Sequence, residues 1–219
     1  MKVNFINFSD PKDHKCFLIT GGELILKQEV VEIILVKLKS AGFNEKVSIS
    51  QDELERMQEI ASRNMGGSLF QENLILHIKH TSGKFPEKIK SFLEDAEIFN
   101  SPNIALIVES SIEKTPASGT WIKNFDANGL IINCSKLKTI EEKIWLKRQL
   151  NFLPKELLPI FGGSIFQNNE ANLLGQKNEV SLLKLLFLSQ DKANEAKTDH
   201  IIFRSGISAF ELEDLLLNR

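Results

Sequence analysis

The sequence predicts an α/β domain built on a mainly parallel sheet, followed by a small helical domain. Short apolar runs alternate with helix-spaced patterns from residue 1 to about 136, and the runs are near-continuous in hydrophobicity. Beyond Lys136 the strand pattern fades while helical patterns continue. Continuously apolar strands need cover on both faces, which the intervening helices of a parallel sheet supply. The expected division is 1–136 for the sheet domain and 137–219 for the helical one.

"CFLIT" (16–20) reads as a buried strand, and Gly21-Gly22 turns the chain into a helix from about Leu24 to Ala41 with Val31, Ile34, Leu35 and Leu38 in one stripe. "KVSI" is a short strand. Ser50 with Glu53 forms a capping box for a helix whose inner face is Leu54, Met57, Ile60 and Ala61, and Gly66-Gly67 stops it. Strand "LILHI" (74–78) follows, then a helix opened by Pro86 with face Ile89, Phe92, Leu93, Ala96 and Phe99, then strand "NIALIV" (103–108). Thr115-Pro116 starts a short helix carrying Trp121, Ile122 and Phe125, and "GLIINC" (129–134) is another strand. In the second domain, Thr139 and Glu142 cap a helix holding Ile140, Ile144 and Trp145. Helices near 154–161 and 171–189 come next, and after a polar loop Ser208 and Glu211 cap "AFELEDLLLN".

With 219 residues, 42% hydrophobic, the chain can bury a sizeable core. Its 27 basic and 29 acidic residues give a net charge of -2, which provides no overall attraction for nucleic acid. No apolar run approaches the ~20 residues of a membrane span, and the N-terminus lacks a secretory pattern, so a cytoplasmic location is expected. Cys16 and Cys134 have no metal or redox spacing and are read as small core hydrophobes.

The turn after the first strand is where a phosphate-binding loop would lie, but "TGGELILKQE" fails G-x-x-x-x-G-K-[ST]. It is read as lacking the second spaced glycine and the lysine and hydroxyl that hold phosphates and magnesium. Glu109, after "IALIV", imitates a magnesium-binding strand end, but without that loop it reads as an ordinary carboxylate. His77 and His80 lie three apart on a strand and point to opposite faces, which disfavours a metal pair. Ser110, Ser111 and Ser118 lack nucleophile-elbow glycines, so no catalysis, metal or cofactor is expected.

"MGGSLFQENLILHI" places Leu69 and Phe70 on a tight polar connector, where Ser68 and Gln71 form a capping box that could start one helical turn. On the residues alone, this pair either projects outward as a contact or folds back over the end of the core, the commoner fate of loop apolars.

Together with "CFLITGGELILKQE", "TWIKNF", "GLIINC", "IWLKRQL" and "NEANLLGQKNEVSLLKLL", in this order, that segment resembles the delta subunit of the bacterial DNA polymerase III clamp loader. Gly22 replaces a usual acidic residue, and Ala171 stands where glycine is usual. The resemblance implies an AAA+/RecA-like sheet domain without ATPase activity and a helical lid-like domain. It implies that Leu69 and Phe70, with Ser68 and Met65 beside them, form a hydrophobic wedge entering a pocket of the beta sliding clamp. The implied partners are that clamp, the tau/gamma ATPase and delta-prime subunits and primed DNA, all within a DNA polymerase holoenzyme. The family's third, collar domain is expected to be absent from these 219 residues. The competing reading is a non-catalytic AAA+-like scaffold that joins replication proteins without gripping the clamp; a nucleotide-dependent enzyme ranks below both.

Overall fold

Six strands form one sheet in the order β1-β6-β2-β5-β4-β3, and every pairing in it is parallel. The strands are β1 (Lys2–Asn4), β2 (Cys16–Thr20), β3 (Glu45–Ser50), β4 (Leu74–His80), β5 (Ile104–Ser110) and β6 (Leu130–Asn133). The computed structural model describes residues 1–65, 73–113, 115 and 118–190. The chain divides after Lys136 into two compact units.

Helix α1 (Leu24–Ser40) carries the chain from central β2 to β3 at the sheet's edge, and α2 (Arg56–Met65) returns it to β4. The chain then passes through α3 (Glu87–Glu94) and α4 (Ala96–Asn100) to β5, and through α5 (Thr120–Asn128) to β6 on the other side of β2. β2 is buried at every position. Side chains alternate along a strand: Cys16 and Leu18 join the core beneath α2–α5, with Met57, Ile89, Phe92 and Phe125, whereas Phe17 and Ile19 face the other way. α1 packs against β2 and β5, burying Val30, Val31, Ile34 and Leu38 while Leu35 is only half-buried.

Several local expectations are corrected. Ser50 does pair with Glu53, hydroxyl to carboxylate at 3.2 Å, but it ends β3 and closes a turn; α2 begins at Arg56. The helix opened at Pro86 is two helices. Asp95 leaves helical geometry, with ψ 109, and its carboxylate accepts the Glu97 N–H at 2.9 Å, so one residue ends α3 and caps α4. That break turns Ile98 inward with Phe99 and leaves Ala96 exposed. Thr115 does not start α5, which begins at Thr120; its hydroxyl meets that of Thr20 at 3.1 Å. β1, three residues at the edge, carried no legible strand pattern.

The second unit contains α6 (Thr139–Gln149), α7 (Leu158–Asn168) and α8 (Leu173–Gln190), which pack on one another. α7 begins later than the helix expected near 154–161, because residues from Pro154 to Leu157 form a turn closed by a 3.1 Å hydrogen bond. On α6, the apolar Ile140 and Ile144 are 74% and 43% exposed, whereas Glu142, Trp145 and Leu146 are buried. The cap is also shifted: Lys138 N donates to Glu141 at 2.9 Å. Glu142 turns inward because its carboxylate accepts the Ala171 N–H at 2.9 Å and the Gln176 side-chain amide. The last helix expected from Ser208 lies outside the described residues.

Ala171 has φ 60, a left-handed conformation that costs an L-residue roughly 1–2 kcal/mol. Ala171→Gly relieves it and keeps the N–H that Glu142 binds. The expected gain is up to ~1 kcal/mol after glycine's greater unfolded-state entropy, read as a higher urea midpoint; a lower midpoint would contradict the strain.

Candidate functional site

In open parallel sheets, ligands bind outside the carboxyl ends of the strands, where the strand order reverses. Here that point lies beside β2, whose neighbours are β5 and β6. The chain itself occupies the place. Gly21, with φ 107, approaches β6's exit so closely that a Cβ would collide with the Cys134 carbonyl. Its N–H donates to the Ile112 carbonyl at 2.8 Å, and the Glu23 N–H donates to the Cys134 carbonyl at 3.0 Å. A phosphate loop needs such amides turned toward its ligand; these already have internal acceptors. The Glu113 carboxylate stands against Gly22, placing an acidic group where phosphate oxygens would otherwise approach.

One sequence reading requires correction at this crevice. A lysine does stand at the motif's spacing, Lys27, six residues after Gly21; Leu26 and Gln28 occupy the positions of the second glycine and the hydroxyl. The spacing was legible, but the failure of its neighbours obscured it. Lys27 is buried, and its ammonium donates to the Ser110 carbonyl at 3.5 Å.

His77 and Glu109 are neighbours across β4 and β5, with Nε2 to Oε2 at 3.2 Å. Burial pushes the His77 pKa down although Glu109 raises it, and the hydrogen bond from His77 holds the Glu109 carboxyl below its ordinary range. This describes a neutral imidazole donating Nε2–H to a carboxylate. His80 is also shifted down by burial, against a hydrogen bond with the Ser82 backbone that raises it and with a smaller lowering through Lys27, and its Nδ1 lies 2.9 Å from Ser110 Oγ. The Ile112 N–H donates to the same oxygen at 3.2 Å. Serine beside histidine suggests a nucleophile and its base, but both side chains are buried and instead tie β4 to β5. No cluster of three metal-ligating side chains occurs among the described residues. Burial pushes both cysteine thiols up to about 12, which leaves them protonated and unreactive.

These histidines set a pH dependence. Because their folded pKa values lie below 6.5, the unfolded chain binds more protons as pH falls through that value, and stability decreases. His14 contributes with the same sign. Glu109 contributes fully above the ordinary glutamate range and loses that contribution progressively as pH falls from there through its lower folded value. The urea midpoint is therefore expected to fall from pH 7.5 to 5.5, with a shallower fall in His77→Gln; a midpoint that rises on acidification would contradict this.

In the chain, the connector follows Met65, the last residue of α2, and precedes Leu74, the first of β4. Ser68, Leu69 and Phe70 lie outside the described residues, as does the side chain of Met65, whose backbone ends α2. The structure does describe the connector's two supports. Met57 and Ala61 anchor α2 in the core. Asn73 donates its side-chain amide to the Gly42 carbonyl at 3.3 Å, and Leu74 N donates to the Asn103 carbonyl at 2.8 Å. The seven residues of β4 put its amino and carboxyl ends about 20 Å apart, at ~3.3 Å per residue. Among the described residues, no helix is long and apolar enough to cross a membrane.

No protein-family model matches the chain, and no curated protein matches it in sequence. Among solved structures, the Bacillus subtilis DNA clamp loader delta protein is similar, with TM-score 0.56 and 17% identity over 79% of this chain and 54% of that one. The Thermotoga maritima RuvB Holliday junction branch migration motor gives 0.42 and 16% over 81% and 56%. Saccharomyces cerevisiae RIF2 gives 0.43 and 15% over 78% and 74%. The chain thus spans about half the length of the clamp loader delta protein it matches. The strand order and that likeness make this an α/β fold of the RecA-like type.

Proposed function

We propose that this chain is a delta-type subunit of a replicative clamp loader, which grips the beta sliding clamp and performs no nucleotide chemistry. The observation that carries the reading is the crevice closed by Ile112, Cys134 and Glu113 in a fold similar to a clamp loader delta protein. The same segments, in the same order, support it in sequence. In this reading the sheet unit, 1–136, bears the clamp-binding surface, with Leu69 and Phe70 as anchors and Ser68 and Met65 at their sides. The helical unit follows it as a lid-like domain.

Ring opening is then a matter of differential affinity. A bound protein shifts a closed–open equilibrium only as far as it prefers the open form, so the anchors must contact the open clamp more favourably than the closed one. The tau/gamma ATPases supply the nucleotide cycle that exposes or covers this surface, delta-prime completes the assembly, and primed DNA receives the opened ring.

The closed crevice predicts that titration calorimetry with magnesium and ATP gives no binding heat. Micromolar, magnesium-dependent binding that disappears in Lys27→Met would show that the crevice opens to nucleotide and would remove the reading's principal support.

A further inference from the structure

Helix α7 holds two adjacent glycines, Gly162 and Gly163, in its interior, where each costs roughly 1 kcal/mol relative to alanine. No packing among the described residues calls for them. A Cβ on Gly163 would meet nothing within 4 Å, and one on Gly162 would make only an ordinary 3.5 Å contact with Leu150. Both glycines instead line a groove of about 730 Å3 beside α6. Its floor is apolar, formed by Leu146, Leu150, Leu158 and Phe166. Its polar border is cationic: Lys143, Lys147 and Lys155 line it, with no acidic side chain among the described lining residues. The Lys143 ammonium lies 4.8 Å from the centroid of the Phe166 ring.

Such a groove suits an amphipathic segment with acidic flanks that can press its backbone close to the glycines. We propose that its occupant is residues 208–217 of this same chain, "SAFELEDLLL". That segment contains Glu211, Glu213 and Asp214 and no basic residue, complementing the three lysines. At 3.6 residues per turn, Ala209, Leu212 and Leu216 would share one face with Glu213 at its border, and Glu211 and Asp214 would lie on the opposite one. Residues 191–207 can extend roughly 55 Å at ~3.3 Å per residue, several times the length of α7, so the tether permits docking. Bare phosphate recognition would use the lysines but leave the apolar floor and the glycines without a role.

Hydrogen exchange of the full 219-residue chain, read by mass spectrometry, tests this. Amides of 208–217 are expected to exchange at least ~10-fold more slowly than free peptide rates. Gly163→Leu, which fills the groove at a position with open space, and Lys147→Glu, which reverses one rim charge, are each expected to remove that protection. Exchange in β5 should remain unchanged in both variants, reporting an intact fold. Free exchange of 208–217 in the parent chain, or protection unaffected by either variant, would overturn the proposal. Protection that rises with protein concentration would assign the segment to a second copy. Duplex DNA binding abolished by Lys147→Glu while 208–217 exchanges freely would assign the groove to phosphates. Both of these outcomes also overturn it.

Discussion

Replacing Glu142 with alanine is expected to destabilise the helical unit by about 3 kcal/mol, although the residue lies in the first turn of a helix, where an acidic side chain is ordinarily exposed. Its buried carboxylate accepts the Ala171 N–H at 2.9 Å and the amide of Gln176, which is itself fully buried and also donates to the Asn169 carbonyl at 2.9 Å. Alanine would leave those donors without the carboxylate and leave a void, and each buried donor left unsatisfied costs ~1–3 kcal/mol. Glu142→Gln keeps one acceptor oxygen and should lose much less. Ile140→Ala is the contrasting control: at 74% exposure it should change stability by less than ~0.5 kcal/mol. Urea denaturation separates these variants. A loss for Ile140→Ala equal to that for Glu142→Ala would contradict the burial of the charged residue in place of the apolar one.

That reversal marks the limit of sequence periodicity. Strands β2, β4, β5 and β6 were legible because each is a near-continuous apolar run, as burial on both faces of a parallel sheet demands. Helix α1 was legible because Val31, Ile34 and Leu38 recur at helical spacing over 17 residues. Glu142 was not, because its inward direction depends on donors from residues 171 and 176, far along the chain. Asp95 was missed because one side-chain hydrogen bond divides an otherwise continuous helical pattern. At the crevice, sequence identified the degenerate glycine turn, but only the folded chain reveals that Ile112 and Cys134 consume its amides. The Leu69–Phe70 pair was legible as an anomaly of composition on a glycine-flanked connector; its target entered through family resemblance.

Truncating that pair carries the other large expected effect. An apolar anchor in a desolvated pocket typically loses ~2 kcal/mol or more on reduction to alanine, roughly 30-fold in affinity. The combined change Leu69→Ala and Phe70→Ala should therefore eliminate practical clamp binding. Its effect on folding should be small, because an outward-facing pair contributes little to the core. Core membership predicts the opposite pattern, with several kcal/mol of stability lost when both side chains are cut back.

The most direct measurement is the affinity of purified beta clamp, immobilised on a sensor surface, for this chain and for the double variant, with the melting temperature of each measured in parallel. The account predicts saturable binding by the parent chain, weakened at least ~30-fold in the variant at an unchanged melting temperature. Failure of the parent chain to bind the clamp, or equal binding by the variant, would contradict it.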